Sequence, residues 1–486
     1  MNTDIRQLSP TSLWNHFSDL NAVPRPSKKE ERVIQFMVDF GKNLNLETFV
    51  DSVGNVIIKK SASKGLENRK TIVMQSHLDM VHQKNSDTEF DFDTQGIKML
   101  IDNDWVTADG TTLGADNGLG VAAIMAVLSS TDIQHPAIEA LFTIDEETGM
   151  TGAMGLQGGI LEGEILLNLD TEEDDEIDMG CAGGIDVTAT RNYNQEPISE
   201  NTIAYKIAIT GLNGGHSGMD IHKGLGNANK IMNRILYTGS EHFDLRISEI
   251  NGGSLRNAIP RESFATIVID NATKETFLFE IDALIESIKG EFKIVEPNLS
   301  IEIDITENPE SIMDLGAQEG LIKSIYGALN GVYKMSVDME DLVETSNNIA
   351  RVTVNNGTIS IACLTRSSSE SSKYDLANSL RSTFELAGFE VEYSGSYPGW
   401  QPNVHSAILK VLNSLYEELF KEKPNVVACH AGLECGILGQ NYPEMDMISF
   451  GPTIRGAHSP DERVSISSVQ KFWKFLLEIL KNIPEK

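Results

Sequence analysis

The feature that most limits how this chain can fold is a set of five short polar segments, each placed where an apolar run stops. They are Ser76-His77-Leu78-Asp79, Gly114-Ala115-Asp116-Asn117-Gly118, Asp145-Glu146-Glu147-Thr148-Gly149, Asn168-Leu169-Asp170 and Gly456-Ala457-His458-Ser459. In open α/β sheets, ligand sites gather at the carboxyl ends of strands. Together the segments offer two imidazoles, several carboxylates and no thiol. That donor set suits one or two divalent ions of the zinc type better than a thiolate site.

A chain of 486 residues is too long for one compact core, so two or more domains are expected. With 40% hydrophobic and 23% charged residues the composition is that of an ordinary folded protein. The formal charge of −32 argues against nucleic-acid or membrane-surface partners, which call for basic patches. Residues 1–10 are polar and lack the apolar core of a secretory signal. No apolar stretch approaches the ~20 residues that span a bilayer. Cys181, Cys363, Cys429 and Cys435 form no CxxC pair, which fits reduced thiols and a cytoplasmic location.

The chain opens with a helix over 11–20 and a second begun by Pro26-Ser27-Lys28-Lys29-Glu30, where Ser27 and Glu30 have capping-box spacing. Strand-like runs at 55–58, 71–75, 137–144 and 164–169 alternate with a helix over 117–128. This predicts an α/β domain with a mostly parallel sheet flanked by helices. The pattern changes after about Gly184. A strand at 205–210, a helix at 223–237, strands at 243–249 and 264–270, a helix at 274–289 and a strand at 299–305 form one unit. A similar order follows, with helices at 317–329 and 369–387 and strands at 350–354, 358–364 and 389–393. We expect an inserted α+β domain made of a duplicated ferredoxin-like β-α-β-β-α-β unit. In it Ile207-Ala208-Ile209-Thr210 and Ile303-Asp304-Ile305-Thr306 are corresponding strands, each leading into the first helix of its unit. The α/β style resumes near Ser394, with a helix at 404–419, an apolar run at 447–450 and a final helix at 465–483. His77 and His458 serve one site if 1–184 and 395–486 are two parts of a catalytic domain and 185–394 is an insertion.

Residues two apart on an extended strand end face the same side, so Asp79 is placed to orient the ring of His77 rather than to bind an ion. Asp116 lies among small residues at a helix start, and its two oxygens can bridge two ions ~3.5–4 Å apart. Glu146 and Glu147 are adjacent and diverge, so the economical division is one ligand and one general base. His77 and Asp170 then hold one ion, Glu147 and His458 the other, and Asp116 is shared. Taken singly, each segment has an ordinary structural reading: a hydrogen-bonded histidine, a solvated acidic pair, or Asp116 as a helix cap. The ordered set H-x-D, G-x-D-N-G, D-E-E-x-G, L-D, G-x-H-S carries the functional reading.

That set resembles the M20 family of metallopeptidases, dinuclear zinc enzymes that include carnosinases, peptidase T and N-acyl amino acid deacylases. Over nearly its whole length the chain looks like the bacterial aminoacyl-histidine (Xaa-His) dipeptidase branch. The resemblance implies two zinc ions, with cobalt or manganese as substitutes, bound by His77, Asp116, Glu147, Asp170 and His458. It makes Glu146 the general base, Asp79 the orienting aspartate, and the peptide bond after Asp116 cis. The family's usual Asp-Asp at that point is Asp-Asn here. It further implies that the insertion is a lid carrying Gly214-Gly215-His216-Ser217-Gly218, in which His216 polarises the scissile carbonyl from its own subunit or from the other subunit of a homodimer. Asn257 and Arg366 would hold the substrate carboxylate, where an Arg fork suits the task. Gly432 would give backbone contacts, and Glu434 would meet the substrate amine. His82, His222, His242 and His405 match no motif and are assigned to structure. The expected reaction is hydrolysis of small Xaa-His dipeptides such as β-alanyl-histidine. An N-acyl amino acid deacylase needs the same metals but no free amine. A non-catalytic metal- or peptide-binding protein would lack the base or a ligand.

Overall fold

The computed structural model describes residues 4–486. The chain divides into two compact units: the first runs to Gly180 and resumes over Trp400–Ala428 and Leu433–Lys486, and the second comprises Cys181–Gly399 with Cys429–Gly432.

The first unit is built on an eight-stranded sheet in the order Glu47–Val50, Val56–Lys60, Ile138–Thr143, Ile72–His77, Ile165–Asn168, Asp446–Ser449, Glu176–Cys181, Asn425–Cys429. Its centre is parallel, because Ile72–His77 pairs in parallel with both Ile138–Thr143 and Ile165–Asn168, and the latter with Asp446–Ser449. The flanks are antiparallel. The parallel layer is therefore the middle of a mixed sheet. Ile72–His77, Ile138–Thr143 and Ile165–Asn168 are buried at every residue, as expected of strands covered on both faces. The helix Ala115–Ser129 is apolar around its circumference and packs on the strand Ile72–His77 and the helix Thr11–Leu20. Such a helix has no face left for water. A smaller sheet, Ile454–Arg455, Arg463–Ser465, Trp105–Ala108, Met99–Asp102, completes this unit.

The expected capping box is not formed. The helix Glu31–Asn43 starts after Glu30, whose side chain accepts from the Lys28 amide, while the Ser27 hydroxyl donates to Asp79 Oδ2 at 2.8 Å. The stronger acceptor, a buried carboxylate, claims the serine.

The second unit is a nine-stranded antiparallel sheet with helices. Its path runs Ser300–Thr306, Thr202–Thr210, Ser263–Asp270, Arg246–Gly252, Val343–Asn355, Thr358–Ser367, Gly183–Asn192, Glu390–Tyr397, with Gly331–Met335 also on Val343–Asn355. The strand Ser300–Thr306 lies outside Thr202–Thr210, with Ile207 opposite Ile303, and so ends the first half. The strand that takes the place of Thr202–Thr210 in the second half is Gly183–Asn192, between Thr358–Ser367 and Glu390–Tyr397. The correspondence expected for Ile303–Thr306 is thus replaced. That strand is an edge, with Ile305 71% exposed, whereas Ile185, Val187 and Ala189 are buried. Ile207, Ile235, Ile267, Phe277, Ile281, Ile361, Leu380 and Phe384 belong to one continuous core. Among the described residues no helix is long and apolar enough to cross a membrane.

Phe277 is fully buried against Tyr205 and Phe243. Phe277→Ala should cost about 3–5 kcal/mol of stability in this unit. Urea unfolding followed by circular dichroism checks it, and an unchanged midpoint would contradict the packing.

Candidate metal centre

Three adjacent parallel strands aim their carboxyl ends at one place. His77 ends Ile72–His77, Glu146 and Glu147 follow Ile138–Thr143, and Asp170 follows Ile165–Asn168. Asp116 enters from the first turn of Ala115–Ser129, and His458 from the hairpin loop between Ile454–Arg455 and Arg463–Ser465. The peptide bond Asp116–Asn117 is cis.

The side chains form two overlapping groups. His77 Nε2 lies 3.0 Å from Asp116 Oδ1 and 3.5 Å from Asp170 Oδ1. His458 Nε2 lies 3.3 Å from Asp116 Oδ2 and 3.0 Å from Glu147 Oε2. Asp116 belongs to both groups, one oxygen to each. Each trio has the spacing that holds a cation. Glu146 falls with His77 and Glu147 in a third group.

Asp79 Oδ1 is 3.4 Å from His77 Nδ1, on the ring edge away from Asp116. The amides of Glu146 and Glu147 donate to its two oxygens at 3.0 and 3.3 Å. One buried carboxylate therefore fixes the histidine ring and the start of the acidic segment together. Asn117 Nδ2 donates to the Leu169 carbonyl at 2.8 Å and to Asp170 Oδ1. An aspartate at 117 has no proton to give when ionised, so the departure from Asp-Asp has a physical use.

The electrostatics are those of a site with too much negative charge. Burial pushes Glu146 well above the usual carboxylate range, aided by Asp170, Glu434 and Glu147, and it raises Glu147 too. Glu172 is pushed up to about 8 by burial and by Asp116 and Asp170. Burial opposes a charged His77, but Asp170, Asp116 and Asp79 outweigh it and hold its pKa well above the ordinary value. Asp116 and Glu147 raise His458 to about 11. Burial would raise Asp116 as well, yet the two imidazoles hold its carboxyl below the ordinary range. The protonated rings occupy the role of cations. The residues fit two divalent ions, one per trio.

Glu434 lies in this unit but is closed to solvent rather than open to an amine. Its Oε2 accepts from Gln75 at 2.6 Å and Thr143 at 2.7 Å, and burial lifts its pKa to about 7. His216, Asn257, Arg366 and Gly432 belong to the second unit. There Arg366, 4% exposed, donates through Nη1 to the Tyr397 hydroxyl at 2.8 Å and through Nε to Ser217 at 3.3 Å, with Nη2 3.4 Å from His216 Nε2. The amides of Gly218 and Met219 donate to His216 Nδ1, which leaves the proton on Nε2. Burial and Arg366 lower this ring to about 4. Two donors therefore face each other, an arrangement that receives an anionic or carbonyl oxygen. A β-carbon at Gly218 would come 1.9 Å from the His430 carbonyl, so this turn admits only glycine. Asn257 is exposed, its carbonyl accepts from the Ser217 amide, and Gly432 is in a loop outside any helix or strand. His82 packs on Phe92 and His242 pairs with Glu280, while His222 and His405 are exposed.

Sequence reasoning passed over Arg25 and Glu462. Arg25 is buried and donates to the carbonyls of Leu78 (3.0 Å), Asp79 (3.0 Å) and Gly114 (2.6 Å), joining two of the loops that carry site residues. Glu462 meets the loop before Asp116. The only signal was an Arg between two prolines and a Glu four residues after His458.

The profile of peptidase family M20/M25/M40 matches residues 73–482, and the chain belongs to this family. It is 44% identical over 484 residues to the cytosol non-specific dipeptidase of Escherichia coli (strain K12), covering 100% of both chains. The crystal structure of aminoacylhistidine dipeptidase from Vibrio alginolyticus superposes with a TM-score of 0.94 at 44% identity, covering 99% of this chain and 98% of that one. An aminopeptidase, PepT, from Bacillus cereus superposes at a TM-score of 0.57 and 16% identity over 98% of this chain and 99% of that one, a likeness of fold.

Because metal ligands must be deprotonated, a divalent cation held by the two trios should displace the protons held by His77 and His458. His458, raised to about 11, is charged at neutral pH, so apparent cation affinity should strengthen as pH rises through the neutral range. Calorimetry in buffers of different ionisation heat reads the released protons, and a heat independent of buffer would contradict the arrangement.

Proposed function

We propose that this member of peptidase family M20/M25/M40 is a cytoplasmic dipeptidase that hydrolyses Xaa-His dipeptides, β-alanyl-histidine among them, with two zinc ions. The observation that carries the reading is the shared carboxylate: Asp116 addresses His77 with one oxygen and His458 with the other. Dipeptide substrates are supported by the names of both 44% identical relatives, the preference for histidine by that of the Vibrio alginolyticus aminoacylhistidine dipeptidase alone, and the location by that of the Escherichia coli cytosol non-specific dipeptidase. Zinc is supported by the mixed imidazole and carboxylate donor set, with cobalt or manganese able to take its place.

In this reading His77, Asp170 and Asp116 would hold one ion, and Asp116, Glu147 and His458 the other, and the chemistry supplied there would be Lewis acidity toward a water and a carbonyl. Asp79 holds the His77 ring by its Nδ1 edge, so that Nε2 faces inward. Glu146 takes the proton of the attacking water on its carboxylate and passes it to the leaving nitrogen. Burial raises its proton affinity, which suits the first half of that task, the uptake of the proton. His216 donates Nε2–H to the oxygen on which charge develops, and the neutral tautomer makes it a donor at neutral pH. Arg366, oriented by Tyr397 and Ser217, receives the substrate carboxylate, with Asn257 and Gly432 contributing polar contacts.

Glu146→Gln should lower turnover of β-alanyl-histidine by about 10²–10⁴-fold with zinc content unchanged. Steady-state kinetics with metal analysis checks this, and near-normal turnover would remove Glu146 from the role. Cleavage of acetyl-histidine in preference to β-alanyl-histidine would favour the deacylase reading.

A further inference from the structure

His458 and Glu462 sit on one hairpin loop, closed by the pairs Ile454–Val464 and Arg455–Arg463. Arg463–Ser465 also pairs with Trp105–Ala108, the strand that precedes the loop bearing Asp116. Glu462 is 2% exposed. Its Oε2 accepts from the amides of Leu113 at 2.7 Å and Gly114 at 2.9 Å, and its Oε1 from Ala115 at 2.7 Å and Asp116 at 3.2 Å. Four successive amides converge on one carboxylate at the amino end of the helix Ala115–Ser129. Such a concave run of N–H groups binds an anion strongly, and here the chain supplies its own. Gly114, at φ 69°, makes the turn that lets the amides converge.

The two trios are tethered differently. The loop of Asp116 is tied to Asp170 by Asn117, which donates to Asp170 and to the Leu169 carbonyl. It is tied to the strand end of His77 by Arg25, which donates to the carbonyls of Gly114, Leu78 and Asp79. These contacts serve His77, Asp116 and Asp170, and none involves Glu462. The His458 loop is joined to the Asp116 loop by Glu462.

We propose that Glu462 is a positioning residue for the second cation: its carboxylate carries the His458 loop to the Asp116 loop and presets the Asp116–Glu147–His458 trio, while the His77–Asp116–Asp170 trio stands without it. This rests on the two-ion reading above. Removing a partner one step out from a metal ligand typically costs about 10–100-fold in affinity, so the loss should fall on one ion.

The test is a zinc titration of metal-free Glu462→Gln against a competing chromophoric chelator, beside wild type. The amide of Gln keeps one acceptor and turns a donor toward amides that also donate. The variant should keep its first zinc equivalent at wild-type affinity and bind the second about 10–100-fold more weakly. Equal weakening of both equivalents, or of neither, would overturn the assignment. Should the variant fail to fold, hydrogen exchange of the wild-type metal-free protein decides. The amides of residues 113–116 should then be protected like those of the sheet, and exchange at unprotected rates would count against Glu462. A wild-type protein that takes up only one zinc would instead sink the two-ion reading, and with it this role.

Discussion

Everything at the candidate centre depends on the two oxygens of Asp116 pointing to different imidazoles, at 3.0 Å and 3.3 Å. A carboxylate on a free side chain would rotate toward whichever partner was nearer. Here the residue is fixed through its neighbours: Arg25 holds the carbonyl of Gly114 and the Asn117 side chain holds the carbonyl of Leu169, while Glu462 accepts from the amides of residues 113–116 and joins them to the His458 loop. The helix that follows is buried along almost its whole length and cannot shift without disturbing the strand beneath it. Packing thus converts an apolar helix into a stiff mount for one polar group. In a dense interior, small displacements are costly, which is what a carboxylate shared between two imidazoles needs.

The surplus of buried acids would destabilise an ordinary core. Unpaired charges in a low-dielectric interior are expensive, and such groups hold protons instead. Glu434 and Glu172 do so here, lifted to about 7 and 8. Gln75 and Thr143 donate to Glu434 Oε2, and two imidazoles and Arg25 lie among the acids. A region assembled this way is poised to accept positive charge.

The strand ends and the five polar segments were legible in the sequence because each stands at an abrupt switch from apolar to charged residues. The family followed from their order, and the profile match agrees. Three things were not legible. The strand Val343–Asn355 begins with Val343 and then Glu344, Thr345, Ser346, Asn347 and Asn348, a polar stretch that composition assigns to a loop, yet Thr345 to Asn348 are buried. Gly183–Asn192 pairs with strands more than 150 residues later, beyond the reach of local periodicity. Arg25 and Glu462 act through backbone groups, and hydrogen bonds to carbonyls and amides leave no pattern in the side chains of the loops they hold.

The first unit is made from separated pieces of chain, with the whole second unit written between them. His77, Asp116 and Asp170 all precede that interruption, whereas His458 comes after it. During synthesis on the ribosome the residues of one trio are therefore all made while the other still lacks a member, and Asp116 has only one of its two imidazole partners. Assembly order is written into the gene: the Asp116–Glu147–His458 trio can close only after the whole second unit has been made.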